Sequence, residues 1–578
     1  MCAILNKVEE VDKAELEKVF AEGDNHGVGT QIREVWTIDK RQQLAQFKVD
    51  QDRNVTGKQS NQWSMITIRI ALAIFTRSPA AYEALKSFKI LQLPSRSTLQ
   101  SYTGTFLHEP GVSNQCIADQ VARYVMFKAE CEKQGKRKPQ SDGVMIFDEV
   151  KVACQLIWNS RSHKLSGLAM TNKDMSSLND IYRVLKEPDS PGQTSYILQF
   201  LWRDLTSSYD IVGPYFTSKE SVDAQFILSC VLETVHLFQT CGLRTSLIVC
   251  DGSPANLTTI KLSHGHSGAY SVISDTASND VYEVKPWMVN PFNPPWLIYW
   301  MICPTHQLKN MINVLFSSKS GGTKLFKRGQ HHGVFGWNSI IAMYQREVSR
   351  AKQNLTRMVP RLKEVHVVRD SWTKLNVSPA KIMQQEQVLG ELFWYTNQDP
   401  LPADSDTTNE TWEYLQACHK LFESGFLSHD KVDNMDSPVL QNIDDGYKYF
   451  TSWLSTLLEE DSDYPHVSSN QKSFLSWQTW DLLCIDVYSF RAFCKDFFAK
   501  HPGYFVSPLR ISGSAVESLF SQFKRNAGGK LDSCNYVTAR CAHLVQQCAS
   551  GHHSGVGYRD ETLTYMELPL HKKSYGNS

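Results

Sequence analysis

Two short apolar runs that each end in an aspartate constrain this chain more than any other feature. Val144 to Phe147 lead straight into Asp148 and Glu149 ("GVMIFDEVKV", 143–152), and "SLIVC" (246–250) leads into Asp251. Short runs of β-branched and aromatic residues form buried strands. A strand entering a core does not carry negative charge unless that charge has a partner or a task. If the two strands are neighbours in one sheet, both carboxylates share an edge. Clustered carboxylates repel, and a bound divalent cation keeps both ionised near neutral pH. Oxygen ligands of this kind favour Mg²⁺ or Mn²⁺ over zinc. Glu149, the next residue on the strand, is expected to face away. The structural alternative makes both aspartates strand-end turn residues, since Asp251-Gly252 is a common turn pair.

A third acid would complete a site for two ions and phosphodiester chemistry. The candidate is Glu517, in "SAVE". By spacing alone, Ser514-x-x-Glu517 reads equally as a helix capping box, in which the glutamate reaches back to a backbone N–H.

The surrounding pattern is α/β. Residues 1–60 are polar, weakly helical at the start and then loop-like, and "WSMITIRIALAIF", "SPAAYEALKSF" and "PSRSTLQSYTGTF" (63–107) are three amphipathic segments. Ser78-Pro79 and Pro94-Ser95 are start signals for the second and third, so a helix-turn-helix-like unit or a plain helical bundle is expected. From 144 to 205 the pattern is β, followed by a helix stopped at Gly242, the Asp251 strand, and the strand-like "WLIYWMIC" with the helix "QLKNMINVLF" after it. Residues 317–500 read as mainly helical, and a β-rich block followed by a helical one suggests α/β with an insertion.

Bulk properties narrow the function. A chain of 578 residues exceeds one hydrophobic core. With 60 basic and 60 acidic residues, no global field draws it to nucleic acid or an anionic membrane, so basic surface must be local. "CEKQGKRKPQ" (131–140) and the run Arg346, Arg350, Lys352, Arg357, Arg361, Lys363 are the candidates, each reading first as a solvated face. The first 20 residues lack the apolar core of a secretory signal, and no stretch is long and apolar enough to span a bilayer. The 14 cysteines form no CxxC pair, so reduced thiols and an intracellular, soluble protein are expected. Cys534, Cys541 and Cys548 recur every seven residues, with His543, His552 and His553 nearby; this reads as one buried helix face before it reads as zinc. His264, His266, His331 and His332 read as loop histidines, and Trp158, Trp202, Trp296 and Trp300 as core before base-stacking surface.

Taken in order, these segments resemble the P-element transposase-like family, whose animal members often carry a THAP zinc finger. The residues carrying the resemblance are "SPAAYEALKSFKILQLPSRSTLQSY", "FDEVKVACQLIWNSRSHKLSGLAM", "LIVCDGSPAN", "CPTHQLKNMINVLF", "FLSWQTWDLLCIDVYSFRAFCKDF" and "AVESLFSQFKRNAGG", spanning roughly residues 65–545. The resemblance implies an RNase H-like catalytic fold interrupted by a helical insertion. The expected division is a polar region 1–60, a helix-turn-helix-like domain 61–131, catalytic parts 140–310 and 501–550, an insertion 311–500, and a tail 551–578. It further implies that Asp148, Asp251 and Glu517 form an acidic DDE triad binding Mg²⁺ or Mn²⁺, which makes metal ligation the preferred reading of Glu517, with Ser514 still able to cap its helix. His306 is expected to be structural or phosphate-contacting.

The activity implied is cleavage and strand transfer of DNA by a nuclear homo-oligomer acting on transposon ends and target DNA, with GTP bound in the insertion. Three departures stand out. Residues 1–60 hold no zinc-spaced Cys/His cluster, Ser514 stands where family members often have an acid, and no GxxxxGK[ST] loop occurs, "SGGTK" (320–324) included. They motivate the alternative of a domesticated or decayed relative that binds DNA or protein without catalysis. A GTP-binding regulatory protein is a third reading, resting on the insertion alone.

Overall fold

The computed structural model describes residues 38–55, 61–103, 108–159, 164–169, 173–174, 192–263, 286–328, 334–460 and 472–550. Helices α1 (Ile38–Asn54), α2 (Met65–Phe75), α3 (Pro79–Ser87), α4 (Arg96–Thr103) and α5 (Gln115–Lys133) come first. The starts of α3 and α4 follow their serines: Ser78 Oγ accepts from the Ala81 N–H at 3.1 Å and Ser95 Oγ from the Thr98 N–H at 3.1 Å. Helix α1 corrects the loop-like reading of that region. Its polar sequence gives it little apolar face, and side-chain bonds tie it down instead. Asp50 accepts from the Ser64 N–H at 2.7 Å and the Thr67 hydroxyl at 2.6 Å, and Gln51 exchanges two bonds with the backbone of Gln92.

The sheet is built from β1 (Asp142–Lys151), β5 (Tyr196–Asp204), β6 (Asp210–Ser218), β7 (Arg244–Cys250), β8 (Trp287–Val289) and β9 (Leu297–Ile302); a smaller sheet holds β2 (Ile157–Asn159), β3 (Lys164–Ser166) and β4 (Lys173–Asp174). The six strands lie in the order β6-β5-β1-β7-β9-β8, with β1, β7 and β9 mutually parallel and the outer strands antiparallel to their neighbours. Alternation assigns the faces. Val144, Ile146, Leu247, Val249, Tyr299 and Met301 enter one core, and Met145, Phe147, Ile248, Cys250, Trp300 and Ile302 enter the other. Gly143 is needed where β1 passes Trp202, because a Cβ there would lie 2.2 Å from the indole.

Helix α5 and α6 (Ala224–Thr240) cover the second face. Asp223 caps α6, and Gly242 follows it at a φ of 76°, the stop expected from the sequence. After β7 comes α7 (Pro254–Ser263), and after β9 comes α8 (Pro304–Phe316). The helical block follows as α9 (Trp337–Lys352), three short helical turns, α10 (Glu386–Thr396), α11 (Ser405–Cys418) running into a π-helical segment to Phe426, α12 (Pro438–Glu460) and α13 (Trp477–Lys500). Helix α13 returns to the sheet, where the Asp486 carboxylate accepts from the Ile302 N–H at 2.6 Å.

Helices α14 (Ser514–Asn526) and α15 (Asn535–Ser550) close the fold on the first face. Strand β6 carries Gly213-Pro214 opposite a register shift in β5, a bulge on an edge strand, which is where proline is tolerated. Buried Gln199 donates to the freed carbonyls of Gly213 and Pro214 at 3.0 and 3.1 Å. Arg540 and Tyr536 of α15 then reach the Gly213 carbonyl (2.9 Å) and Gln199 Oε1 (2.8 Å), so α15 is bolted to the bulge. Helix α15 also holds the N-terminal helices, through Gln546 to the Thr76 carbonyl at 3.1 Å. The α/β expectation with a long helical block inside it matches this architecture. Among the described residues no helix is long and apolar enough to cross a membrane.

Candidate active site

The acids gather because of strand register. The β1–β7 ladder pairs Ile146 with Val249, so Asp148 and Asp251, two residues further along each strand, emerge side by side past its end. Both share the alternation of the first face, the side on which α14 packs through Val516, Leu519, Phe520 and Phe523. Glu149 takes the opposite face, as expected. It accepts from the Ser221 hydroxyl at 2.7 Å and the Val222 N–H at 3.2 Å, away from the aspartates.

Each acid is held differently. Asp148 Oδ1 accepts the Glu149 N–H at 2.8 Å. Asp251 Oδ1 accepts the Ser253 N–H at 3.0 Å and the Asn256 amide at 2.5 Å, in a turn that opens α7. Glu517, on the first turns of α14, lies with Oε1 3.4 Å from His306 Nε2, in the first turn of α8. Helices α8 and α14 start against each other: a Cβ on Gly513 would sit 2.8 Å from Cys303 Sγ. Hydroxyls stitch the two starts together, Ser514 to Ser512 at 2.9 Å, Ser512 to Thr305 at 3.2 Å, and Ser514 to Thr305 at 3.3 Å.

This geometry corrects the capping-box reading. Helix α14 takes Gly513, not Ser514, as its N-cap residue, with no side-chain cap bond, and the Glu517 carboxylate turns to His306 instead of back to its own helix. Ser514 is the first helical residue, and its hydroxyl serves the contact with α8.

Burial is the main force that pushes the Asp148 carboxyl up to about 7. The Asp251 charge adds to it, the Glu149 N–H and His306 oppose it, and Glu517 pushes the same way. All four groups therefore share one electrostatic site. The sequence brought out Asp148, Asp251 and Glu517. It did not bring out the grip of Asn256 on Asp251 or the His306–Glu517 pair. Asn256 was legible in part, since an Asp followed by Ser-Pro and an Asn in the first helical turn is a strand-to-helix turn signal.

Carboxylates set side by side at the end of a sheet suit a divalent cation, which offsets both the burial and the repulsion that raise Asp148. Asp148 and Asp251 fit that donor chemistry. Glu517 stays with His306, and among the described residues no three His, Cys, Asp or Glu side chains stand together at ligating spacing. His264, His266, His331, His332, His552 and His553 lie outside the described residues. Cys541 and His543 are buried on α15, whereas Cys534 precedes the helix, is half-buried and donates its thiol to the Gln155 carbonyl at 3.3 Å, so the three cysteines do not form one buried face. Trp202 and Trp300 are core, while Trp296 lies between the cations of Arg244 (3.8 Å) and Lys500 (4.0 Å). In "SGGTK", the Lys324 ammonium donates to the Phe474 carbonyl at 2.7 Å, and burial lowers it to about 8.

Comparison with known proteins places the fold. Residues 118–264 match the family model described as TNP-like, RNase H N-terminal domain, a match that begins inside α5 and runs through both aspartates. Among solved structures, the chain resembles one titled "Drosophila P element transposase strand transfer complex", with a TM-score of 0.60 at 14% identity, over 94% of this chain and 100% of that one. No curated protein sequence matches the chain. The fold is an RNase H-like sheet with N-terminal helices and a long helical block within it.

Proposed function

We propose that this chain is a transposase-like polynucleotidyl transferase that cleaves and joins DNA phosphodiesters at the edge where Asp148 and Asp251 meet. The observation that carries the reading is the parallel register that sets these two aspartates side by side, with Glu517 and His306 within electrostatic reach. Asp148 and Asp251 would hold the cation, with Glu517 as the third carboxylate. Bound divalent ions activate an attacking water or hydroxyl and stabilise the leaving oxygen. The chain's own part is orientation. Asn256 and the Ser253 N–H fix the rotamer of Asp251, the Glu149 N–H fixes Asp148, and α8 and α14 bring His306 and Glu517 across from the other side. His306 Nδ1 is buried without a hydrogen-bond partner, and with Nε2 turned to Glu517 it is the acceptor side of the ring, which an ordered water suits.

The test is cleavage and joining of a DNA substrate with Mn²⁺ by Asp148→Asn and Asp251→Asn. Both should lose activity with circular dichroism unchanged; full activity in either rejects the reading. DNA as substrate, a homo-oligomer, a nuclear location and GTP in the insertion belong to the same proposal, and GTP titration of the full chain tests the last.

A second reading has its own observation. Glu517 is engaged by His306, and Ser514 supplies a hydroxyl where an acid would add charge, which favours a DNA- or protein-binding relative without catalysis. Mn²⁺ titration separates the two. A catalytic site binds about two ions and loses one with Glu517→Gln, whereas a non-catalytic relative binds none at that edge.

A further inference from the structure

The basic run in α9 is not the solvated face its sequence suggests. Glu347 and Glu391 are fully buried beneath it and orient its arginines. Arg346 Nε and Nη2 donate to the two oxygens of Glu391, both at 3.0 Å, and Arg350 Nη1 donates to Glu347 Oε1 at 2.7 Å. Each guanidinium also lies on an aromatic ring of α10, Arg346 3.6 Å from the centre of Tyr395 and Arg350 4.9 Å from that of Trp394. The Tyr395 hydroxyl donates to Asp404 at 2.7 Å, which fixes the ring. Between α9 and α10 runs an open groove of about 510 Å³, lined by these four side chains with Gln345 and Gln398 among others.

We propose that this groove binds single-stranded DNA, a strand running between α9 and α10 with a base on Trp394 and its phosphates on Arg346 and Arg350. Three features select that ligand. Guanidiniums held from below by carboxylates keep their remaining donors for an anion at little further cost in side-chain entropy. Trp394 is 45% exposed, a large aromatic surface left to solvent beside those cations, and aromatic platforms in basic grooves are how unpaired bases are held. Arg346, Arg350, Arg357 and Lys352 face the carboxylates of Glu347, Glu391 and Asp404, so one positive charge is left over. A duplex keeps its bases stacked internally and gains nothing from Trp394, and a small anion would not need an open groove.

The test is fluorescence anisotropy with the full chain and a labelled oligo-dT of about 15 nucleotides. Trp394→Ala should weaken binding about tenfold, within the range for loss of one base–aromatic stack. The double variant Ser349→Glu, Gln353→Glu places two negative charges on the exposed groove wall and leaves the buried glutamates untouched. It should weaken binding at low salt by a similar factor and flatten the salt dependence. Unchanged affinity in both groove variants overturns the proposal. Equal affinity for a blunt duplex, insensitive to Trp394→Ala, overturns it as well. Loss of cleavage is a separate readout, so the groove and the active-site reading can fail independently.

Discussion

Strand β1 carries an aspartate at each end of its buried run, and the two ends treat it in opposite ways. At the start, Asp142 is fully enclosed with Arg244 Nη2 at 2.7 Å, His501 Nε2 at 2.8 Å and the Ser246 hydroxyl at 2.5 Å. Burial pushes that carboxyl up, but His501, Arg244 and Ser246 outweigh it and hold it below its ordinary value. At the far end Asp148 has no cation beside it among the described residues, and burial first and the charge of Asp251 second push it up to about 7. The fold neutralises one acid completely and leaves the other short of positive charge. The acid left short of positive charge lies at the end to which the proposed function assigns the chemistry.

The sharpest way to break this comparison is to remove the satisfied acid. Asp142→Asn should cost about 3–5 kcal/mol, because it removes the buried charge that Arg244, His501 and Ser246 all serve; urea denaturation measures it. Because the folded-state value of Asp142 is depressed, its contribution is complete above the unfolded carboxylate value near 4 and fades as pH falls below that. A loss under 1 kcal/mol would mean the two ends are energetically alike.

The opposite sign is expected at the other end. Asp148 is raised, so the metal-free protein has its full contribution below about pH 4 and loses it as pH climbs through 7. Asp148→Asn should therefore raise the stability of the metal-free protein at pH 8 by on the order of 1–2 kcal/mol, allowing for solvent screening, and change little at pH 4.5. Thermal melts across that range check it, and Mn²⁺ should stabilise the wild type and not the variant.

A smaller effect tests how the site is closed. Gly513→Ala should cost about 1–2 kcal/mol by overpacking against Cys303, and Cys303→Ala should recover part of it in the double variant. Smallest of all, His306→Ala should cost less than about 1 kcal/mol, as expected for a partly exposed pair, while increasing Mn²⁺ affinity as Glu517 is released. A fall in that affinity would instead make His306 the residue that orients Glu517.

What the sequence disclosed tracks how local each cause is. The parallel core strands were legible because each is a continuous apolar run, and α3, α4 and α6 because serines, an aspartate and a glycine punctuate them. Strand β6 was not legible, since Gly213-Pro214 breaks its alternation and only the edge position and the Gln199 side chain make that break tolerable. Helix α1 was hidden because its stabilising partners, Ser64, Thr67 and Gln92, lie beyond its own end. At the site, Asp148 and Asp251 were read from strand ends, but the partner of Glu517 was not, because the meeting of α8 with α14 rests on the room left by Gly513.

The late position of α14 has a consequence for how the molecule is made. A ribosome releases the aspartate strands long before Ser514–Asn526 exists, and all of α9 to α13 must be synthesised in between. Contacts so distant in sequence form slowly. A nascent chain that stops short of α14 thus has its acidic corner without Glu517, and whatever that corner does with the third carboxylate waits until α14 has emerged.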